Sequence, residues 1–192
     1  MAPIISEPLS RRGLLAVSGA AATAGAASLL SGCGGVAGPG TGLSKSSADL
    51  EVVRRLLALE LGMVDAYGAI VRGLRGSERA TARHFADQEM EHADTLTRAI
   101  KLRGGDPAVE PLAMAPDRVP GPGAALRLAA AVESAAIGAY RRAVPRIEAP
   151  DIRATCAEIA ANEAQHLAVV SQARGLPGAP SAFVRGSRPQ GE

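Results

Sequence analysis

Between residues 49 and 175, apolar side chains recur at alternating steps of three and four, the spacing that lines one face of a packed α-helix. The pattern occurs in four separate stretches, and we find no run with the period of two that is typical of a strand. Aromatic residues make up only 2% of the chain and alanine supplies much of its apolar content, which disfavours a bulky β-sandwich core. The sequence therefore predicts an all-α fold, a four-helix bundle over residues 49–175.

The links between the four stretches differ in length. Short turns are predicted near residues 73–77 and 145–150, and Ser77 is expected to cap the second helix. Because short links join antiparallel neighbours, the helices form two antiparallel pairs. The Pro-rich segment 104–123 between the pairs is long enough to cross the length of a bundle. We therefore expect the second and third helices to run in the same direction.

The two pairs match each other in sequence. Several polar residues of the first pair recur in the second at an offset of 73 residues in the odd helices and 74 in the even ones. The matched pairs are Glu60 and Glu133, Tyr67 and Tyr140, Glu89 and Glu163, and His92 and His166. These include both tyrosines of the chain and two of its three histidines. The pattern indicates an internal duplication of a two-helix unit.

Six of these residues occupy positions that should be apolar, near the middle of the helix faces that form the core. A buried carboxylate without a partner is costly, and several that converge repel one another. Two divalent cations would balance four carboxylates, and the neutral imidazoles would complete the ligand set. In the Glu-x-x-His pairs, three residues turn a helix by about 300°, so both side chains lie on one face. The predicted metal ligands are Glu60, Glu89, His92, Glu133, Glu163 and His166.

The segment Gln88-Glu89-Met90-Glu91-His92-Ala93-Asp94 resembles the metal motif in the second helix of bacterioferritins. The Glu-x6-Tyr spacing of both odd helices is also bacterioferritin-like. Over roughly residues 49–175, the chain thus resembles the ferritin-like superfamily, in particular bacterioferritin and rubrerythrin-type carboxylate bundles.

The resemblance implies a role for each predicted site residue. Glu60 and His92 would be terminal ligands of one metal, Glu133 and His166 would be those of the other, and Glu89 and Glu163 would bridge the two. Tyr67 and Tyr140 would lie near the site, as hydrogen-bond partners of ligand carboxylates or as electron donors. Met90 stands where bacterioferritins have a haem ligand, but relatives without haem share it, so haem is not expected.

Carboxylate-rich sites with one histidine per metal suit two iron ions, with manganese as the alternative. We expect a di-iron oxidoreductase that couples ferrous oxidation to the reduction of dioxygen or hydrogen peroxide. A manganese catalase-like site and a non-catalytic metal-binding or scaffold lipoprotein remain open as alternatives. Because the chain has no Cys-x-x-Cys pair of the kind found in rubredoxin modules, we expect an external electron donor.

Residues 1–32 have the features of an export signal: a basic start, an apolar middle and a small-residue end. Arg11-Arg12 resembles the twin-arginine type, although Leu14 and Ala16 depart from its preferred residues. Leu30-Ser31-Gly32-Cys33 resembles a bacterial lipobox, whose cysteine is lipidated and becomes the new N-terminus. The expectation is therefore an exported protein anchored to the outer face of the cell membrane through Cys33.

The remaining segments and partners follow from composition. The Gly/Ser-rich residues 33–48 are expected to form a flexible tether, and residues 176–192 a disordered tail. A net charge of +2 gives no electrostatic reason to expect nucleic acid as a partner. A homodimer remains open.

Overall fold

The computed structural model describes residues 47–116 and 118–187. The predicted export signal, Cys33 and the tether through residue 46 lie outside the described residues, and they stay predictions. Four α-helices are present in the two described ranges: α1 (Ser47–Gly73), α2 (Gly76–Leu102), α3 (Pro122–Ala143) and α4 (Pro150–Ala173). A 3-10 turn, Val144–Arg146, extends α3. The predicted all-α four-helix bundle is confirmed, and the same ranges contain no strand.

The helix boundaries follow local chemistry. Pro122 and Pro150 begin α3 and α4, where their missing N–H has no helical partner to lose. Pro145 lies in the turn that ends α3. The predicted cap at Ser77 is wrong: α2 begins one residue earlier, at Gly76, and its N-cap residue makes no side-chain capping bond. Gly76 takes a positive φ of 54°, which allows the two-residue turn after α1.

The helices pack as two antiparallel pairs. α1 packs on α2, α3 packs on α4, and the pairs meet mainly through α1 and α3. At one end of the bundle, the last residues of α1 and α4 line the same cavity as the first residues of α2 and α3. The second and third helices therefore run in the same direction, as the long crossover predicts. No helix in the described part of the chain combines the length and hydropathy needed to cross a bilayer.

An extended segment covers the outer face of the first helix in each pair. In the crossover, Leu112 N–H donates to the carbonyl of Ala58 at 2.8 Å. A Cβ at Gly62 would lie 2.1 Å from the carbonyl oxygen of Leu112, so this approach requires glycine. After α4, Ser187 N–H donates to the carbonyl of Ser134 on α3 at 2.7 Å. The described part of the tail therefore forms no helix but contacts the bundle.

The end of the bundle where α4 begins is closed by polar contacts. The buried Asp49 carboxylate accepts hydrogen bonds of 2.9 Å from the backbone N–H groups of Glu148 and Ala149. Nearby, the Arg103 guanidinium donates to the carboxylate of Asp151. These bonds join the start of α1 and the end of α2 to the start of α4, and they fix how far the two pairs slide along each other.

Candidate metal centre

All six predicted ligands converge in the middle of the bundle. α1 and α3 each contribute one glutamate, and α2 and α4 each contribute a Glu-x-x-His pair. The four glutamates are 0% exposed. His166 is also buried, and 12% of the His92 side chain reaches the surface. The middle of the core is thus occupied by four carboxylic acids and two imidazoles, which come from all four helices.

Each histidine faces its group of carboxylates with the same ring atom. His92 Nδ1 lies 3.0 Å from Glu163, 3.4 Å from Glu89 and 3.6 Å from Glu60. None of these oxygens meets Nδ1 at hydrogen-bonding geometry, so this buried nitrogen has no hydrogen-bond partner among the described residues. A nitrogen surrounded by acceptors but bonded to none is suited to a cation between them.

His166 repeats the arrangement on the other side of the centre. Its Nδ1 lies 3.1 Å from Glu89, 3.4 Å from Glu133 and 3.6 Å from Glu163. Unlike His92 Nδ1, this nitrogen meets Glu89 Oε1 at hydrogen-bonding geometry. The six ligands thus form two overlapping sets, each with three carboxylates and one histidine whose ligand atoms lie within 4.8 Å of one another. Glu89 and Glu163 belong to both sets. This sharing is the geometry expected of bridging ligands.

Carboxylate oxygens without hydrogen bonds concentrate at this centre. All four glutamates have at least one buried oxygen with no partner among the described residues, and both oxygens of Glu163 are in this state. Buried polar atoms are normally paired, and each exception calls for an explanation. The donor set, oxygen-rich with one imidazole nitrogen per position, fits two divalent cations of the iron or manganese type.

The acids and imidazoles shift each other's protonation in the metal-free protein. Burial raises the pKa of Glu60 to about 8. Burial lowers the pKa of His92, but the carboxylates of Glu163, Glu60 and Glu89 outweigh it and raise the pKa to about 12. The balance is similar at His166, whose pKa rises to about 11. Without metal, protons therefore supply part of the positive charge that the carboxylates require.

The two tyrosines form hydrogen bonds between the two duplicated helix pairs. Tyr67 on α1 donates its hydroxyl hydrogen to Glu133 Oε1 on α3, and Tyr140 on α3 donates to Glu60 Oε1 on α1. Burial, followed by the charge of the acceptor carboxylate, raises the pKa of both phenols well above the usual value. The phenols thus stay protonated and hold one carboxylate oxygen each of Glu133 and Glu60 in place. Of the two roles expected, the structure shows the hydrogen bond; electron donation stays a prediction.

Two further residues of the site escaped the sequence analysis. Gln88 Oε1 lies 2.8 Å from His166 Nε2, so the ring donates there and leaves Nδ1 for a metal. The Phe85 ring stacks on His166 at a centroid distance of 3.9 Å. Gln88 directly precedes a ligand in the sequence, but its partner is on another helix, and helical periodicity carries no signal for that pairing. Phe85 occupies the core face, where an aromatic residue signals only packing.

The fold and the centre together define a ferritin-like four-helix bundle. Residues 42–176 match the family model described as the ferritin-like domain, and the chain belongs to this family. The match spans all four helices and all six predicted ligands. The membership supports a metal site in this position, whereas the metal itself is not specified by the family.

A solved structure shares the fold. The crystal structure of a conserved hypothetical protein, rv2844, from Mycobacterium tuberculosis is 22% identical to this chain with a TM-score of 0.59. The alignment covers 73% of this chain and 99% of that chain. Among curated proteins, nothing matches this sequence. The structural likeness concerns the arrangement of the helices and not an activity.

Proposed function

We propose that this protein is a dinuclear metal protein that uses two iron ions to couple ferrous oxidation to the reduction of dioxygen or hydrogen peroxide. The observation that carries the proposal is the pair of overlapping ligand sets, which share Glu89 and Glu163 between two positions. The two ligand sets would hold two ferrous ions side by side, and such a pair would supply one electron each to an oxidant. A single isolated site would not combine both electrons in one step.

The side chains perform three tasks in this proposal. The four carboxylates offset the positive charge of two divalent ions in a core that otherwise excludes ions. Tyr67 and Tyr140 each hold one carboxylate oxygen, so the terminal glutamates keep their orientation when charge at the centre changes. Phe85 covers one face of His166 and limits the access of water there. Reducing equivalents come from an external donor.

The proposed location is the outer face of the cell membrane. It is supported by the sequence of residues 1–33 alone, through the twin-arginine pair and the lipobox ending at Cys33. A lipid anchor at Cys33 would keep the protein at the membrane, where soluble or membrane-bound donors can reach it.

The direct test is anaerobic loading of the purified protein with ferrous iron, followed by addition of dioxygen or peroxide. We expect about two irons per chain and consumption of oxidant in proportion to the iron oxidised. Loading with manganese under the same conditions tests the catalase-like alternative, through evolution of dioxygen from peroxide. Failure to bind two ions of either metal would contradict the dinuclear proposal and favour a scaffold.

Histidine variants give a matched control. His92→Ala and His166→Ala each remove the only nitrogen ligand of one position, so each should lower the metal content toward one and nearly abolish oxidant consumption. The double variant should lose little further activity, because the two positions act as a unit. His84→Ala changes the remaining histidine, which is exposed and belongs to neither ligand set, and it should leave both readouts unchanged. Full activity in both single variants would contradict the proposal.

A further inference from the structure

A mainly apolar cavity of about 330 Å³ opens at the end of the bundle where α1 and α4 end. Buried aliphatic and aromatic side chains form its inner wall, and Ser77, Glu78, Thr81 and Gln172 add polar atoms nearer the surface. A volume of this order is at the lower end of the range for sites that bind small molecules, about 300–1,000 Å³.

Two side chains of the inner cavity wall also contact predicted ligands of the metal centre. Tyr67 lines the cavity and donates its hydroxyl hydrogen to Glu133. Phe85 lines it as well, and its ring stacks on His166. A molecule in the cavity would therefore contact two side chains that themselves touch predicted ligands of one metal position.

The duplication provides an internal comparison, since each cavity residue has an equivalent at the opposite end of the bundle. Three small residues of the wall, Ala82, Ala129 and Val170, have as equivalents the larger and buried Cys156, Leu56 and Leu96. At the mouth, Glu78 is matched by the buried Ile152. At these four positions, the other end of the bundle thus has buried side chains that are larger or apolar.

The smaller side chains occur at particular positions of the cavity wall, and the wall as a whole is not built from smaller residues than its equivalent. Elsewhere in the wall, Ile70 and Leu126 are larger than their equivalents Ala143 and Val53. A hollow in a core destabilises a fold because its lining atoms lose van der Waals contacts. Among the duplicated wall positions, the smaller residues at 82, 129 and 170 therefore lie at the end that borders Tyr67 and Phe85. A separate cavity of about 390 Å³ reaches Tyr140, but its other lining residues are not equivalent to those of this wall.

We propose that this cavity is a binding site for a small, uncharged organic molecule with an apolar body and one polar end. The apolar body would lie against Tyr67 and Phe85, and the polar end would hydrogen-bond at the mouth. Anions are disfavoured by the apolar wall and by the carboxylate of Glu78 at the rim. This inference goes beyond the proposed function, because binding here requires the fold and the cavity and not the oxidation of iron.

The test uses the purified protein loaded with Zn²⁺, which is redox-inactive, and titrates it calorimetrically with indole and with cyclohexanol. We expect one molecule bound per chain, and at least tenfold weaker binding of the anion indole-3-acetate. Because no redox step is involved, a negative result here is distinct from a failure of iron oxidation. Absence of binding by both uncharged probes would overturn the proposal.

The duplicated sequence also indicates which substitutions should fill the cavity. Ala129→Leu introduces the residue found at the equivalent position 56 and should weaken binding at least tenfold without lowering the unfolding temperature. Val170→Leu, which introduces the residue found at position 96, is a second variant should the first fail to fold. Ala161→Leu makes the same change beside a separate cavity and should leave binding unchanged. Equal affinity in a folded Ala129→Leu or Val170→Leu variant would contradict this site.

A spectroscopic readout tests the contact with the centre. The chain contains two tyrosines and no tryptophan, so its intrinsic fluorescence reports on Tyr67 and Tyr140. Cyclohexanol, which does not fluoresce, should change the emission of the wild type and of Tyr140→Phe, where Tyr67 remains. The change should be absent in Tyr67→Phe. A change that persists in Tyr67→Phe would place the probe elsewhere and overturn the proposal.

Discussion

The hydroxyl of Tyr140 donates a hydrogen bond of 2.5 Å to Glu60 Oε1, although 80 residues separate the two in sequence. The duplicated pair, Tyr67 and Glu133, makes the reciprocal bond. Each tyrosine thus supports a glutamate of the other helix pair and not of its own. This crossing ties the metal centre to the packing of α1 against α3.

Replacing either tyrosine with phenylalanine removes one of these bonds and leaves a buried carboxylate oxygen without a donor. We expect each variant to lose about 1–3 kcal/mol of unfolding free energy in the metal-loaded state, measured by urea titration. If the hydroxyl only holds the glutamate, the electrons delivered per iron stay unchanged. A lower electron yield in one variant would instead assign electron donation to that tyrosine.

Gln88→Leu should weaken metal binding at the position of His166. The amide oxygen accepts from Nε2 and so keeps Nδ1 available, and loss of such support typically costs about 10–100-fold in metal affinity. Competition with a chelator of known affinity measures the effect. Asn162, the equivalent residue in α4, has a buried side-chain oxygen without a hydrogen-bond partner among the described residues. Asn162→Leu should therefore change the affinity much less, and equal losses would contradict the asymmetry.

The metal-free protein should become less stable as the pH rises from 5 to 9. Burial raises the pKa of Glu60 from 4.5 to about 8, so the stability linked to its proton is full below pH 4.5 and is lost as the pH passes 8. Both histidines act in the same direction from pH 6.5 upward, because the surrounding carboxylates raise their pKa values from 6.5 to about 12 and 11. The lowered pKa of Glu163, about 2, acts in the opposite direction only in acid.

Metal should reverse this dependence. Binding displaces protons from the imidazoles and from Glu60, so metal affinity rises with pH and the stabilisation by metal grows with it. Thermal unfolding at pH 5, 7 and 9, with and without metal, measures both trends. A metal-free protein whose unfolding temperature rises over this range would contradict the charge arrangement described here.

Replacing Arg11 and Arg12 with lysine should retain the protein in the cytoplasm, because the twin-arginine pathway tolerates that pair poorly. Cell fractionation of the native host measures the result. The same exchange at Arg54 and Arg55, which lie in α1, is the matched control and should leave export intact.

Replacing Cys33 with alanine should release the exported protein from the membrane, because the proposed lipid attachment is lost. Cys156→Ala changes the other cysteine, which is buried in α4, and should not affect membrane association. Unchanged fractionation of the Cys33 and Arg11-Arg12 variants would rule out a twin-arginine lipoprotein.

Much of this protein follows from the sequence alone, because helix formation depends on residues three and four positions apart. The recurrence of apolar residues at steps of three and four predicted the helices. The length of the crossover segment predicted the direction of α3. The duplication and six polar residues on core faces predicted which side chains converge. Ser77 shows the limit of such patterns, since a serine beside a turn looks the same in sequence whether or not it caps a helix.

Other features were decided only by the tertiary structure. Three of them depend on how the two helix pairs rotate and slide against each other. They are the hydrogen bond of Tyr140 to Glu60 and not to Glu133, the bond of His166 to Gln88, and the cavity beside Tyr67. That relative position is set by contacts between distant parts of the chain, such as Asp49 with the start of α4. Periodicity within a helix determines which face is buried, but it contains no information on what lies opposite that face.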